Sequence, residues 1–277
     1  MIDVTLPDAL SADRVRARLS ESARGILREM TVVQETDSTN SMLTRLPPDR
    51  RHAHLVVAEA QTAGRGRRQR AWHSPPGGNI YLSLGWQFKS RSLSLSTLPL
   101  VTALCLCRAL DRAGLDRHGV KWPNDILIDG AKLAGILVET QSAGGAPPVA
   151  VIGIGLNVRM PEADPDHPGG IIDRPWTDLA SHLPEGRESI CRNELIALIV
   201  EDLLEGLGRF ESRGFEAFHQ EWRQRDLLTG KRLRLEGNGA FRFGRAIGVD
   251  DDGGLEVDIE GYGPQVLYAA DVSIHDG

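Results

Sequence analysis

Four arginines lie close together in the segment TAGRGRRQRAW, residues 62–72. They are Arg65, Arg67, Arg68 and Arg70. Glycines at 64 and 66 permit positive φ and a close approach of the backbone to a ligand, and guanidinium groups donate several fixed hydrogen bonds to carboxylate or phosphate oxygens. The segment therefore predicts a site for an anionic ligand, with Trp72 as an apolar wall. A solvated basic loop is the alternative.

A second group of polar residues is KWPND at 121–125, followed by Lys132 in KLAGILVE. Pro123 disfavours the helical conformation at the residue before it, which predicts a sharp turn that presents Asn124 and Asp125. A lysine facing inward from a strand is costly to bury without an anion, so Lys132 is a candidate ligand residue. A surface lysine and a simple turn aspartate are the alternatives.

A third group, Asp37 to Asn40, is typical of a helix N-terminus, and capping alone could explain it. Hydroxyl and amide groups beside an open helix end could equally bind a polar small molecule. The chain contains no G-x-x-x-x-G-K-[ST] phosphate-binding loop. Gly153-Ile-Gly155-Leu-Asn157 resembles the start of a dinucleotide fingerprint, but Val158 replaces the third glycine, which argues against that site.

The elements that must position these residues change character along the chain. Apolar spacing after Ser11 predicts one helix to Met30, and later patterns predict a strand at 31–34, a helix from Ser38, strands at 54–60 and 79–88, and a helix at 93–113. Closely spaced β segments follow from 120 to 158, then helices to about 224. The spacing of short segments from Leu228 predicts a small β barrel. We expect two domains, 1–227 with the helix of residues 1–30 packed on it, and 228–277.

Composition narrows the function classes. The formal net charge of −6 over 277 residues argues against a nucleic-acid-binding surface. Three cysteines without a CxxC pair indicate neither a disulfide framework nor a zinc site. The N-terminus lacks a signal-peptide pattern, and no apolar run approaches the roughly 18 residues of a membrane span. We therefore expect a cytoplasmic protein.

Six segments together resemble the catalytic domain of bacterial biotin protein ligases, in a stand-alone form: ETDSTN, AEAQTAGRGRRQRAW, GGNIYLSL, KWPNDILI, KLAGILVE and GIGLNV. The resemblance is strong over residues 32–160. It implies an α+β fold, in which a mixed, mostly antiparallel sheet with flanking helices, as in class II synthetases, precedes a small SH3-like β barrel. It also implies formation of biotinyl-5′-AMP from biotin and ATP, then transfer of biotin to a lysine of a biotin carboxyl carrier protein.

The resemblance also implies roles for individual residues. It implies a biotin site formed by Ser38, Thr39, Asn40, Gln61, Arg65, Gly66, Arg67 and Lys132. On the nucleotide side it implies Arg67, Arg68, Trp72, Lys121, Asn124 and Asn157. Arg67 and Lys132 would offset the repulsion between carboxylate and α-phosphate, and Asp125 would position the acceptor lysine or accept its proton. Mg²⁺ would balance the pyrophosphate, with unknown protein ligands.

The residues leave two other functions and the oligomeric state open. A lipoate or octanoyl ligase shares the fold, although a dithiolane ring would leave the predicted polar site unpaired. A noncatalytic biotin sensor is the second alternative. Only about 36 residues precede DSTN, too few for the winged helix-turn-helix of bifunctional relatives, so we expect no nucleic-acid binding. A homodimer formed through edge strands is possible.

Overall fold

The computed structural model describes residues 9–90, 93–141, 147–161, 175–184, 189–237, 240–268 and 270–275. Seven strands form the large sheet, in the order β1-β2-β3-β7-β6-β5-β4. The bounds are β1 Glu29–Thr36, β2 His54–Gln61, β3 Ile80–Gln87, β4 His118–Lys121, β5 Asp125–Ile128, β6 Ala131–Gln141 and β7 Val149–Leu156. Only β1 and β2 pair in parallel, and every other pair in the sheet is antiparallel. The predicted mixed, mostly antiparallel sheet is confirmed.

Helices cover both faces of this sheet. On one face, α4 (Leu98–Arg112) contacts β4, β5 and β6 and packs against α5 (Arg192–Arg213). On the other face, the short helix α3 (Thr39–Arg45) contacts β2, β3 and β7. Because both faces are covered, β2 and β3 are buried along almost their whole length. Helix α4 begins at Leu98, later than predicted, where Pro99 occupies the first turn without losing a helical hydrogen bond.

The N-terminal segment is not the single helix that we predicted. Two short helices, α1 (Ala12–Arg16) and α2 (Glu21–Ile26), are separated by Ser20, whose hydroxyl caps α2 by accepting from Ala23 N. Ser11 caps α1 as expected, and Met30 belongs to β1. The apolar stripe still docks on the core, since Val15, Leu19, Ala23 and Leu27 are buried. Residues 1–8 of the predicted helix lie outside the described part.

A separate five-stranded antiparallel sheet follows helix α6 (His219–Arg225), which confirms the predicted small C-terminal β unit. Its strands are β8 Arg232–Gly237, β9 Ala240–Val249, β10 Leu255–Ile259, β11 Gly263–Leu267 and β12 Asp271–Ile274, in the order β11-β10-β9-β8-β12. Trp122 Nε1 donates to the Gly253 carbonyl over 2.9 Å. The KWPND turn, which contains a cis Trp122–Pro123 bond, is therefore tied to this sheet. None of the helices in the described ranges has the length and apolarity that crossing a membrane requires.

Candidate active site

A cavity of about 750 Å³ opens on the face of the large sheet that carries α3. Every residue that we predicted to bind or react lines it: Ser38, Thr39, Asn40, Gln61, Arg65, Gly66, Arg67, Arg68, Trp72, Lys121, Asn124, Asp125, Lys132 and Asn157. These residues come from the end of β2 and the loop after it, the start of α3, strands β4 to β6 with their turns, and the residue that follows β7. The fold therefore brings together segments that are far apart in sequence.

Buried polar groups form one end of the cavity. Gln61 Oε1 accepts from Thr39 N at 3.0 Å, and Gln61 Nε2 donates to Ser74 Oγ at 2.9 Å. Ser83, buried beneath them, lies 2.7 Å from Thr39 Oγ1 and 2.6 Å from Asn40 Oδ1. These groups hold one another in fixed orientations, so this end is pre-organised for a neutral, polar ligand.

Capping does not account for this end of the cavity. Ser38 is the N-cap residue of α3, yet its hydroxyl makes no capping hydrogen bond. Asp37, the preceding residue, accepts from Ser38 N at 2.8 Å and forms an ion pair with Arg45 at 2.7 Å. Hydrogen bonds from Arg45 hold the pKa of the Asp37 carboxyl well below its usual range. Asp37 thus anchors the helix start and leaves the Ser38 hydroxyl available to the cavity.

The arginine-rich segment folds back on itself at the cavity mouth. Gly66 N donates to Arg70 O at 2.7 Å, and Trp72 N donates to Gly64 O at 2.8 Å. Positive φ, which glycine permits most easily, occurs in this segment at Arg68 (φ 55°) and Gln69 (φ 60°). Gly64 is needed for space, since a Cβ there would lie 2.5 Å from Trp72 O.

Glu139 on β6 connects this segment to the polar end. Its Oε2 accepts from Asn40 Nδ2 at 2.8 Å and from Arg65 Nη2 at 3.2 Å. Arg65 Nη2 also donates to Ser41 Oγ at 3.2 Å. One carboxylate therefore holds both a cavity side chain and the basic loop. Sequence reasoning missed Glu139, because its partners are distant in the chain.

Lys132 has an anionic partner within the protein. Its Nζ lies 2.7 Å from Asp125 Oδ1 and 5.0 Å from the centre of the Trp72 ring. Its side chain is 28% exposed. It is therefore less buried than the inward-facing pattern suggested and more buried than a surface lysine. The ammonium group is held at the cavity wall, where it can meet an incoming anion.

Glycines form the floor beneath Trp72. Gly135 on β6 and Gly155 on β7 are cross-strand partners. A Cβ on Gly135 would lie 2.9 Å from Trp72 Cζ3, and one on Gly155 would lie 2.8 Å from Trp72 Cζ2 and closer still to other indole atoms. In the Gly153-Ile-Gly155 pattern, Gly155 thus leaves room for the indole and Gly153 for the Asn40 amide, and both lie within strand β7 rather than in a dinucleotide turn.

The side-chain amides of Asn124 and Asn157 also have structural partners. Asn124 Nδ2 donates to Ile136 O at 2.6 Å, and Asn157 Nδ2 donates to Thr177 O at 3.0 Å. The two side chains therefore hold the cavity rim together, and their oxygens are the groups that can face a ligand.

Trp176, which sequence reasoning also missed, is 40% exposed and lines the cavity, and its backbone forms a β bridge with Lys132. Its exposure at a cavity is visible only in the folded structure and marks it as a candidate ligand contact.

Comparison with known proteins identifies the family of this chain. Two models described as the biotin/lipoate A/B protein ligase family match residues 32–157 and 103–224. The bifunctional ligase/repressor BirA of Salmonella typhimurium is 33% identical over 91% of this chain and 74% of its own length. The biotin--[acetyl-CoA-carboxylase] ligase of Paracoccus denitrificans is 32% identical over 87% of this chain and 98% of its own length.

A solved structure has the same fold. It is the biotin protein ligase from Aquifex aeolicus in complex with biotin and ATP, with 25% sequence identity and a TM-score of 0.74. The match covers 90% of this chain and all of that one. The chain therefore belongs to the biotin/lipoate protein ligase family and groups within it with the biotin protein ligases.

Proposed function

We propose that the chain activates biotin with ATP to biotinyl-5′-AMP and then transfers the biotinyl group to a lysine of a biotin carboxyl carrier protein. One observation carries the proposal: the Arg67 segment and Lys132, on separate elements, line one cavity whose other end is polar and pre-organised. A carboxylate and a phosphate can be held side by side there.

We also propose that residues 228–277 form a domain distinct from 1–227.

The polar end suits the ureido ring of biotin. That ring presents N–H donors and a carbonyl acceptor, and Ser38, Thr39 and Gln61 supply complementary hydroxyl and amide groups, with Asn40 beside them. A dithiolane ring would leave these groups unpaired, which would reduce its affinity. This disfavours lipoate as the substrate.

The first step joins two anions. A biotin carboxylate oxygen attacks the α-phosphorus of ATP, a P–O bond forms, and the bond to the pyrophosphate oxygen breaks with its electron pair. Positive groups must offset both the initial repulsion and the charge that grows at phosphorus. We assign this role to Arg67 and Lys132, with Arg65 and Gly66 on the biotin side. Arg68, Lys121, Asn124 and Asn157 face the nucleotide, and Trp72 and Trp176 offer flat faces to adenine.

Mg²⁺ would enter with ATP rather than occupy a protein cage. Asp125 is the acidic side chain that lines the cavity, and Lys132 already engages it. Among the residues described, no three His, Cys, Asp or Glu side chains are grouped to hold a metal ion. This donor set fits a cation held mainly by the substrate's phosphates, the usual mode for Mg²⁺ with nucleotides. When bound, Mg²⁺ neutralises charge on the leaving pyrophosphate.

In the second step the acceptor lysine must be neutral. Its nitrogen attacks the biotinyl carbonyl carbon, the C–N bond forms, and the C–O bond to AMP breaks with its electron pair going to the phosphate oxygen. The proton that leaves the nitrogen passes to Asp125 or to water. Because Asp125 lies against Lys132, a proton arriving on Asp125 would free that ammonium to stabilise the departing AMP.

The test is direct. Purified protein is incubated with biotin, ATP and Mg²⁺, and bound biotinyl-AMP is sought by mass spectrometry. Exchange of labelled pyrophosphate into ATP is then measured with biotin or with lipoate. We expect an adenylate and exchange that depends on biotin. Exchange with lipoate alone would assign a lipoate ligase, and biotin binding without exchange would assign a sensor.

A further inference from the structure

A second cavity, of about 270 Å³, lies beside the first, between the large sheet and the C-terminal sheet. Strands β4, β5 and β6 form one wall, and β8 and β12 form the other. Its lining comprises Lys121, Asp125, Leu127, Gly130, Lys132, Pro175, Arg234, Glu236, Val272 and Ser273. Five of these residues line the first cavity as well: Lys121, Asp125, Lys132, Pro175 and Val272. The two cavities therefore meet at the Asp125–Lys132 ion pair.

We propose that this second cavity, termed the amine chamber, receives the side chain of the acceptor lysine, with Arg234 and Glu236 as its positioning residues; the proposal rests on the function proposed above. Biotin and nucleotide would fill the first cavity between the arginine-rich segment and strands β6 and β7. An incoming amine needs a separate approach to the same reacting carbon. The amine chamber supplies one, since it reaches Lys132 and Asp125 from the side of the C-terminal sheet.

The charges of the chamber favour a neutral amine. Lys121, Lys132 and Arg234 contribute three positive groups from three strands, and Asp125 and Glu236 contribute two negative ones. Asp125 is already paired with Lys132 at 2.7 Å. An excess of positive charge around a primary amine disfavours its protonated form, and neighbouring cations activate lysine nucleophiles in this way. The lone pair needed for attack is thus made available near neutral pH.

The two positioning residues lie on the same face of β8. Arg234 is cross-strand partner of Ser273 on β12, which also lines the chamber. Glu236 follows two residues later on the exposed side of the strand. An acceptor lysine arrives as an ammonium ion, and a carboxylate at the chamber attracts it before the proton is lost. Glu236 would therefore determine acceptor binding, whereas Arg234 would influence the protonation state.

Three cations could instead hold a polyphosphate. Two carboxylates in the same lining would repel such a group, and both accept from an ammonium. The mixture of charges therefore favours the amine. The difference can be measured, because polyphosphate binding belongs to the first half-reaction and amine binding to the second.

The experiment compares the full-length protein with Arg234→Gln and Glu236→Gln. Arg242→Gln is the matched control, since Arg242 lies on β9 over the Tyr262 ring and lines neither cavity. Biotin-dependent pyrophosphate exchange reports the first half-reaction. Single-turnover transfer from bound biotinyl-AMP, over about pH 6.5 to 9.5, reports the second. The nucleophiles are a biotin carboxyl carrier domain and hydroxylamine, which needs no lysine chamber.

We expect exchange and the hydroxylamine reaction to stay unchanged in all variants. Arg234→Gln should raise the midpoint of the pH profile by about 0.5 to 1 unit, because loss of a nearby cation favours the protonated amine. Transfer to the carrier domain should therefore slow roughly three- to tenfold near neutral pH and recover at high pH. Glu236→Gln should raise the carrier-domain concentration that gives half of the maximal single-turnover rate more than it lowers that maximal rate. The proposal is wrong if the rate of transfer and its pH profile match those of the control. It is also wrong if pyrophosphate exchange falls while transfer stays normal, because that result indicates a polyphosphate site. Absence of exchange in the unmodified protein would instead remove the proposed function, and the chamber's role with it.

Discussion

Substitution of Gly155 by alanine tests how the sheet supports the nucleotide side of the cavity. The new Cβ would lie 2.8 Å from Trp72 Cζ2 and nearer to other indole atoms. Carbon atoms in contact are about 3.5 to 4 Å apart, so the indole must move by roughly 1 Å. Overpacking of this kind costs about 1–3 kcal/mol. Trp72 lies on a loop and can swing outward, so we expect the cost to fall on ligand binding rather than on folding.

At about 1.4 kcal/mol for each factor of ten, KM for ATP in biotin-dependent pyrophosphate exchange should rise about 5- to 150-fold. Trp72→Phe in the Gly155→Ala background should recover part of this loss, because the smaller ring leaves room for the methyl group. Gly208→Ala on α5 is the control, since a Cβ there meets nothing within 4 Å. An unchanged KM, or no recovery with the smaller ring, would refute the packing argument.

Three further changes test other parts of the structure. Glu139→Ala removes the carboxylate that joins Asn40 to the basic loop, so we expect faster proteolysis within residues 62–72 and weaker biotin binding, measured by calorimetry, with Glu139→Gln intermediate. Arg192→Met leaves Glu59 buried without its ion-pair partner at 2.7 Å, and urea denaturation should show a loss of about 3–5 kcal/mol; a loss below about 1 kcal/mol would contradict this. Burial, with a smaller contribution from nearby Arg225, lowers the pKa of His118 below the ordinary 6.5. The folded state therefore binds a proton on His118 less readily than the unfolded chain does. The neutral imidazole contributes fully to the free energy of unfolding above about pH 6.5, and this contribution is lost as the pH falls. His118→Gln should make the decline in urea midpoint between pH 7 and 5.5 shallower, and an unaltered decline would count against the assignment.

Local features of the sequence identified the residue types that line the cavity. Arginine and glycine alternation, a proline-directed turn and a lysine on a strand are each short-range patterns with a chemical meaning. These patterns marked residues 37–40, the loop at 62–72 and Lys132 as candidate ligand groups, each with a structural alternative, and the resemblance to biotin protein ligases assigned them to one site. The α+β order of elements was predictable for the same reason, since helix and strand periodicity is local.

The expectation of a single N-terminal helix failed because two local patterns compete there. The apolar spacing of residues 11–30 continues across Ser20, although the chain breaks there into α1 and α2. Serine favours a capping position over a helix interior. Val15 and Ala23 can pack on the core whether the segment forms one helix or two, so burial alone does not decide between them. In the basic loop, the positive φ that glycine adopts most easily falls instead on Arg68 and Gln69. The loop's own hydrogen bonds determine where the turn lies.

The amino-acid sequence alone determined which chemical groups are present, the order of the elements and the kind of anion that they suit. Only the tertiary structure decided which groups meet: Glu139 with Arg65, Asp125 with Lys132, and Trp72 with Gly155. These contacts depend on the order and register of the strands, which arise from packing across the whole sheet. Residues distant in the chain become neighbours for that reason, and no local pattern specifies their pairing.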